Sequence, residues 1–186
     1  MILPIRAIGD PVLKKRAEEV KPEHPGLQEL IDNMFETMYR SNGIGLAAPQ
    51  IGESLRIFVL DTGVSIEDDE DDEKAIKEVF INPEIEEFFG DDEGFEEGCL
   101  SIPHIREEVI RPEGCDVVYY DRNFNKKTME LDGLLARVFQ HEFDHLEGVL
   151  FTDLISPFKK RLLKSKLEKI KKGKVRVDYP MRFPKK

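Results

Sequence analysis

Three observations predict a compact, single α+β domain. Residues 27–38 carry apolar side chains at helical spacing, residues 55–131 read as short strands divided by turn residues, and helical spacing returns at 133–148 and 157–172. The 186 residues, 40% of them hydrophobic, suffice for one sizeable core and require no second domain, so residues 1–186 are expected to form one unit.

Taken in order, residues 2–20 mix short apolar pieces with the turn signal Gly9-Asp10-Pro11, as suits a segment wrapped over the surface of a core. After Pro22 and Pro25, the stripe Leu27, Leu30, Ile31, Met34, Phe35 and Met38 predicts an amphipathic helix ending near Asn42-Gly43. Gly43 to Gln50 (GIGLAAPQ) spells part of a dinucleotide fingerprint in the wrong context, since a helix comes before it and Pro49 interrupts the helix that should come after. It reads instead as a glycine-rich loop that lets backbone approach a ligand and ends in one side-chain amide, or as a plain tight connection. Residues 55–61 form a buried strand by length and β-branching, and the seven carboxylates of 67–73 predict a solvated loop.

Short strands at 79–82 and 85–89 are separated by Asn82-Pro83, and an antiparallel meander is expected over 105–111, 115–121 and 126–131. Cys115, Val117 and Tyr119 alternate onto one face, which marks Cys115 as a core residue. Gly133 opens a helix that Gly148 closes. Residues 157–172 form a basic amphipathic helix, with nine Lys or Arg in 159–174 against Glu168 alone.

The chemistry concentrates in Gln140-His141-Glu142-Phe143-Asp144-His145-Leu146. Helical spacing stacks His141 above His145, where the two imidazoles can grip one metal ion, and Glu142 stands beside it as a base for an activated water. Apolar and ligand positions share a face, so this metal-binding helix is expected at the centre of the fold. A hydrolytic metal needs a third protein ligand and an open position. The protease extension H-E-x-x-H-x-x-G-x-x-H is matched through Gly148 but places Phe151 at the last histidine. Of His24, His104, Cys115 and Cys99, the last is preferred, because it comes directly after Gly98 in a loop, outside the alternation that buries Cys115. His24 reads as a solvated loop residue and His104 as a rim residue.

With these stretches in hand, the chain resembles the peptide deformylase family. GIGLAAPQ at 43–50, EGCLS at 97–101 and QHEFDHL at 140–146 match that family's three motifs in order. The resemblance implies that Cys99, His141 and His145 bind a divalent metal, with Fe2+ as the physiological ion and Zn2+, Ni2+ or Co2+ able to replace it. It implies that Glu142 is the general acid/base, that Gln50 and the Leu100 N–H bind the developing oxyanion, and that Gly45 borders the substrate. Ile44, Leu134 and Val138 are expected to line a methionine pocket, the last two by helical phase. The implied reaction is removal of formyl from the N-formylmethionine of new polypeptides.

Two other readings stay open on the residues alone. A metallopeptidase is favoured by H-E-x-x-H and opposed by Phe151 and Cys99. A structural-metal module attached to RNA through 157–174 is opposed by Glu142, which a closed structural site does not need. The net charge of -10 argues against sequence-specific DNA binding, while the basic helix is a candidate ribosome contact. The N-terminal residues lack the pattern of a secretory signal and no run is long enough to span a membrane, so a cytoplasmic protein with reduced thiols is expected.

Overall fold

The strand at Ile57–Asp61 is buried on both faces, and this sets the order of layers. The computed structural model describes residues 1–64 and 75–184, so the acidic run at 67–73 lies outside the described residues. The chain runs β1 (Ile5–Arg6), α1 (Leu27–Arg40), β2 (Gly45–Ala47), α2 (Ala48–Ile51), β3 (Ile57–Asp61), β4 (Lys77–Cys99), β5 (Ile102–Tyr120), β6 (Lys126–Leu131), α3 (Gly133–Leu146), α4 (Phe151–Leu154), α5 (Pro157–Lys171) and β7 (Met181–Arg182). Strands β2 to β6 form one antiparallel sheet in chain order, and β1 pairs in parallel with β7.

Side chains alternate across a strand. Ile57 and Val59 of β3 therefore join a core with Ile31, Met34 and Met38 of α1, while Phe58 and Leu60 join a second core with Ala136, Val138 and Phe139 of α3. The sheet is thus sandwiched between α1 and α3, which explains why β3 reads as an unbroken apolar run. In the second core Phe139 meets Phe58 and Phe80 edge-on, at ring-centroid distances of 5.2 and 5.1 Å. Tyr119 closes on Phe80 at 4.3 Å. These contacts seat α3 on the sheet two residues before His141.

Several expectations are corrected by the ladder of hydrogen bonds. The two short strands expected around Asn82-Pro83 are parts of one strand, β4, whose pairing with β5 resumes past a register shift between Ile81 and Glu84. Asn82 takes a left-handed backbone there, and its side chain bonds both the N–H and the C=O of Val20 at 2.8 Å. Pro112 likewise sits inside β5, next to a shift between Phe89 and Asp92, where a missing N–H is tolerated. The glycine-rich loop contains the short strand β2, since backbone pairing with β3 outweighs the weak strand propensity of Gly45. The N-terminal segment runs over the core as its composition suggested, with Ile5, Ala7 and Leu13 fully buried and Lys14, Lys15 and Arg16 exposed. Among the described residues no helix is long and apolar enough to cross a membrane.

Because Phe139 fills the space between α3 and the sheet, Phe139→Ala should lower the unfolding free energy by about 3–5 kcal/mol in urea titrations. Leu154→Ala, at a side chain 46% exposed, should change it by less than about 0.5 kcal/mol.

Candidate metal centre and active site

Helix α3 carries His141 and His145 with ring centroids 5.1 Å apart, as their spacing of one helical turn requires. It is closed by Gly148, whose φ of 73° is left-handed and where an added Cβ would lie 2.7 Å from the Lys14 backbone. Opposite the helix, the β4–β5 hairpin closes over Leu100 and Ser101, with Cys99 paired to Ile102. The turn brings Cys99 Sγ to 3.4 Å from His145 Nε2. One ligand atom each from Cys99, His141 and His145 lies within 4.8 Å of the others. A thiol and two imidazoles at that separation suit a borderline divalent ion. Phe151, which occupies the last position of the extended protease motif, is buried and stacks near the His141 ring at 6.2 Å.

The orientation of His141 is set by Glu97, two residues before Cys99 in β4. Its carboxylate accepts from His141 Nδ1 at 2.9 Å, from Arg111 Nε at 2.6 Å and Nη2 at 3.0 Å, and from Arg137 Nη1 at 3.3 Å. Arg111 also donates to Asp144 at 2.7 Å. Burial opposes ionisation of Glu97, but the bonds from His141 and Arg111 and the guanidinium charge prevail and hold its pKa at about 2. A carboxylate only accepts, so His141 Nδ1 carries a hydrogen and Nε2 is left for an ion. Burial also opposes a charge on His141, yet without an ion its bonds to Cys99 and Glu97 raise its pKa well above the ordinary value, so an ion taking Nε2 displaces a proton. His145 is driven the other way, by burial first and then by the charges of His141 and Arg111, which favours the neutral ring with one nitrogen able to bind an ion.

Glu142 is buried, and its Oε2 has no partner among the described residues. Burial, helped by the charge of Glu97 and opposed by that of His141, raises its pKa to about 7. Gly45 of β2 packs directly on it: a Cβ at that position would lie 2.6 Å from Glu142 Oε1. The Gln50 amide is oriented by the backbone, since Ala47 N–H donates to its Oε1 at 2.9 Å. Its Nε2 is thereby turned to Ser101 Oγ at 3.3 Å and Cys99 Sγ at 3.5 Å.

A cleft of about 460 Å³ opens over these groups. Ile44, Gly45, Gln50, Cys99, Leu100, Leu134, Val138, His141 and Glu142 line it, and His145 lies behind Cys99. Leu134 stands at the exposed rim and Val138 is buried. His104 lines the cleft, as expected of a rim residue, although it lies within β5 and not in a loop. His24 is half-buried rather than solvated, with Nδ1 unpartnered among the described residues. Glu97, Arg111 and Arg137 did not stand out as functional groups in the sequence. A signal existed for two of them: strand alternation puts Glu97 on the side of Cys99, and Arg137 lies one turn before His141. Val177, Asp178 and Tyr179 form one wall of the cleft and carry no local signal.

Residues 2–161 match the family model described as polypeptide deformylase. The chain is 52% identical over 190 residues to a peptide deformylase of Christiangramia forsetii, covering 99% of this chain and 97% of that protein. It is 51% identical to one of Flavobacterium psychrophilum, with both chains fully covered. Among solved structures, a peptide deformylase from Legionella pneumophila matches with a TM-score of 0.82 at 40% identity, over 95% of this chain and 99% of that one. One from Plasmodium falciparum matches with a TM-score of 0.81 at 38% identity, over 91% and 95%. The chain therefore belongs to the polypeptide deformylase family, metal-dependent hydrolases that remove the formyl group from N-formylmethionine at the start of new polypeptides.

Proposed function

We propose that residues 1–186 form a single catalytic domain in which Cys99, His141 and His145 hold one divalent ion, Fe2+ in the cell, and Glu142 acts as the general acid/base. The observation that carries this reading is a buried carboxylate with an unpartnered oxygen beside a Cys-His-His group, facing the floor of a cleft. The ion, when bound, supplies Lewis-acid activation of water and of the formyl carbonyl. Zn2+, Ni2+ or Co2+ suits the same ligands.

The remaining steps belong to the chain. Glu142 takes a proton from the attacking water and returns it to the leaving amine, and a pKa near 7 suits both tasks at neutral pH. The Gln50 amide and the Leu100 N–H stabilise the oxygen as it gains charge, single donors of this kind being worth about 3 kcal/mol. Gly45 keeps the floor open for both Glu142 and the substrate backbone. Ile44, Leu134 and Val138 receive the methionine side chain. A formyl carbon bears no substituent, so a narrow floor admits it and excludes larger acyl groups.

The substrate, a newly made chain, places the enzyme in the cytoplasm near the ribosome. Helix α5 supports a docking role there: Phe158 and Leu162 are exposed among its basic residues. Lys159 is paired with Glu107 at 3.0 Å and Lys160 donates to the Asp153 carbonyl at 2.6 Å, whereas Arg161 and Lys164 make no hydrogen bond or ion pair among the described residues and represent the face better.

Anaerobically purified, metal-analysed protein should release formate from a formyl-Met peptide, and Glu142→Gln should reduce that release by at least about a thousandfold without loss of metal; cleavage of unformylated peptides in its place would overturn the assignment. The same substitution should stabilise the metal-free protein. The folded pKa of Glu142, about 7, lies above its unfolded value near 4.5, so stability is fully present below pH 4.5 and lost as pH rises to 7. Thermal or urea unfolding should show Glu142→Gln equal to wild type at pH 4.5 and more stable by roughly 2–3 kcal/mol at pH 8. Finally, Arg161→Glu with Lys164→Glu should weaken ribosome binding and flatten its salt dependence in a sedimentation assay while formate release from short peptides is unchanged.

A further inference from the structure

Beyond α5 the chain turns at Gly173 and crosses back over the body to pair, through β7, with β1. On the way Val177, Asp178 and Tyr179 form a wall of the cleft. Two hydrogen bonds tie this stretch to the turn after Cys99 and to the start of β5. The Tyr179 hydroxyl donates to the Leu100 carbonyl at 2.9 Å, across 79 residues of sequence. His104 Nε2 lies 2.7 Å from the Arg176 carbonyl, and since a carbonyl only accepts, that ring nitrogen carries the hydrogen. His104 has a φ of 63°, a left-handed backbone that a residue with a side chain adopts only when its surroundings impose it.

The loop is held elsewhere too, and the pattern of ties isolates one residue. Cys99 is fixed by pairing with Ile102, and Ser101 by the Ile8 N–H on its carbonyl at 2.9 Å and the Gln50 amide on its hydroxyl at 3.3 Å. Between these anchors the remaining freedom is a concerted turn of the two planar peptide units that meet at the Leu100 Cα, one carrying its N–H and the other its C=O, so holding the second restrains the first. Among the described residues the hydrogen bond that opposes that motion at the C=O end comes from Tyr179, while the Leu100 side chain packs on the α1-side core.

We infer that Tyr179 is a positioning residue for the Leu100 N–H, and that the C-terminal stretch carrying it is a working part of the active site. The inference rests on the reading of Leu100 as an oxyanion donor. By holding the Leu100 carbonyl, the hydroxyl keeps the neighbouring N–H aimed at the place where negative charge develops. A donor so fixed acts in the transition state and not on the resting substrate, so its loss falls on kcat.

Tyr179→Phe keeps the ring, which packs against the core on the α1 side of the sheet, and deletes only the hydroxyl. With metal-loaded protein and a formyl-Met tripeptide, kcat should fall about tenfold and KM stay within about twofold of wild type. Metal content and melting temperature should be unchanged. A wild-type kcat in Tyr179→Phe overturns the inference, because ring packing alone would then suffice. A rise in KM at constant kcat overturns it as well, by making Tyr179 a substrate contact, and so does loss of metal or of thermal stability, by making the hydroxyl a general tie of the fold. Wild-type protein in the same assay separates the two levels: no formate from wild type defeats the deformylase reading itself, whereas an active wild type matched by Tyr179→Phe defeats only the inference.

Discussion

One buried carboxylate joins the two elements that must meet for this site to exist. Glu97 stands on β4, and its partners Arg111, His141 and Arg137 come from β5 and α3. With Asp144 the cluster contains two carboxylates and two guanidiniums, so the charges balance without help from the imidazoles. Arg137 extends the grip by donating to the backbone carbonyls of Val109 and Glu93 at 3.0 and 2.8 Å, which ties the hairpin to the helix along its length. Such a network is costly to break, since taking away one partner leaves a buried charge uncompensated, at about 3–5 kcal/mol. Its effect on chemistry is indirect but specific: it fixes the tautomer and rotation of His141, and with them the direction in which Nε2 faces.

The floor of the cleft is built against stability. Burial raises the pKa of Glu142 to about 7, and Oε2 lacks a partner among the described residues, an arrangement that a purely structural core would avoid. Gly45 makes the placement sterically feasible, and the Ala47 N–H orients Gln50 so that its amide faces the same point. β2 supplies both constraints although it is only three residues long, because pairing with the doubly buried β3 holds it in place. A buried carboxylate oxygen without a partner among the described residues thus rests on a deeply packed part of the molecule.

The hairpin turn shows how far apart in sequence the determinants of a small region can lie. Leu100 and Ser101 are contacted by Ile8 near the start of the chain, by Gln50 and by Tyr179 near its end. A turn of two residues has no internal means of fixing itself. Packing it among three distant segments replaces local rigidity with tertiary rigidity, and one of those segments is the N-terminal piece that wraps over the core with Ile5, Ala7 and Leu13 buried.

Short-range pattern accounts for most of what the sequence determined by itself. Spacing of four residues on a helix aligns His141 with His145, the stripe at 27–38 makes α1, alternation buries Cys115, and Phe151 excludes the extended protease motif; each depends on neighbours within a turn or two. The three ordered motifs added Cys99 and Gln50 to that helix. The tertiary structure alone decided the rest. Whether Glu97 meets His141, 44 residues away, depends on the register of β4 against β5 and on how Phe139 seats α3, and neither is encoded in adjacent residues. Asn82-Pro83 and Pro112 looked like strand breaks because local propensity disfavours a strand there, but cross-strand pairing on either side overrode it through register shifts. Tyr179 was silent for the same reason: its signal is a hydrogen bond across 79 residues, which exists once the chain has closed on itself.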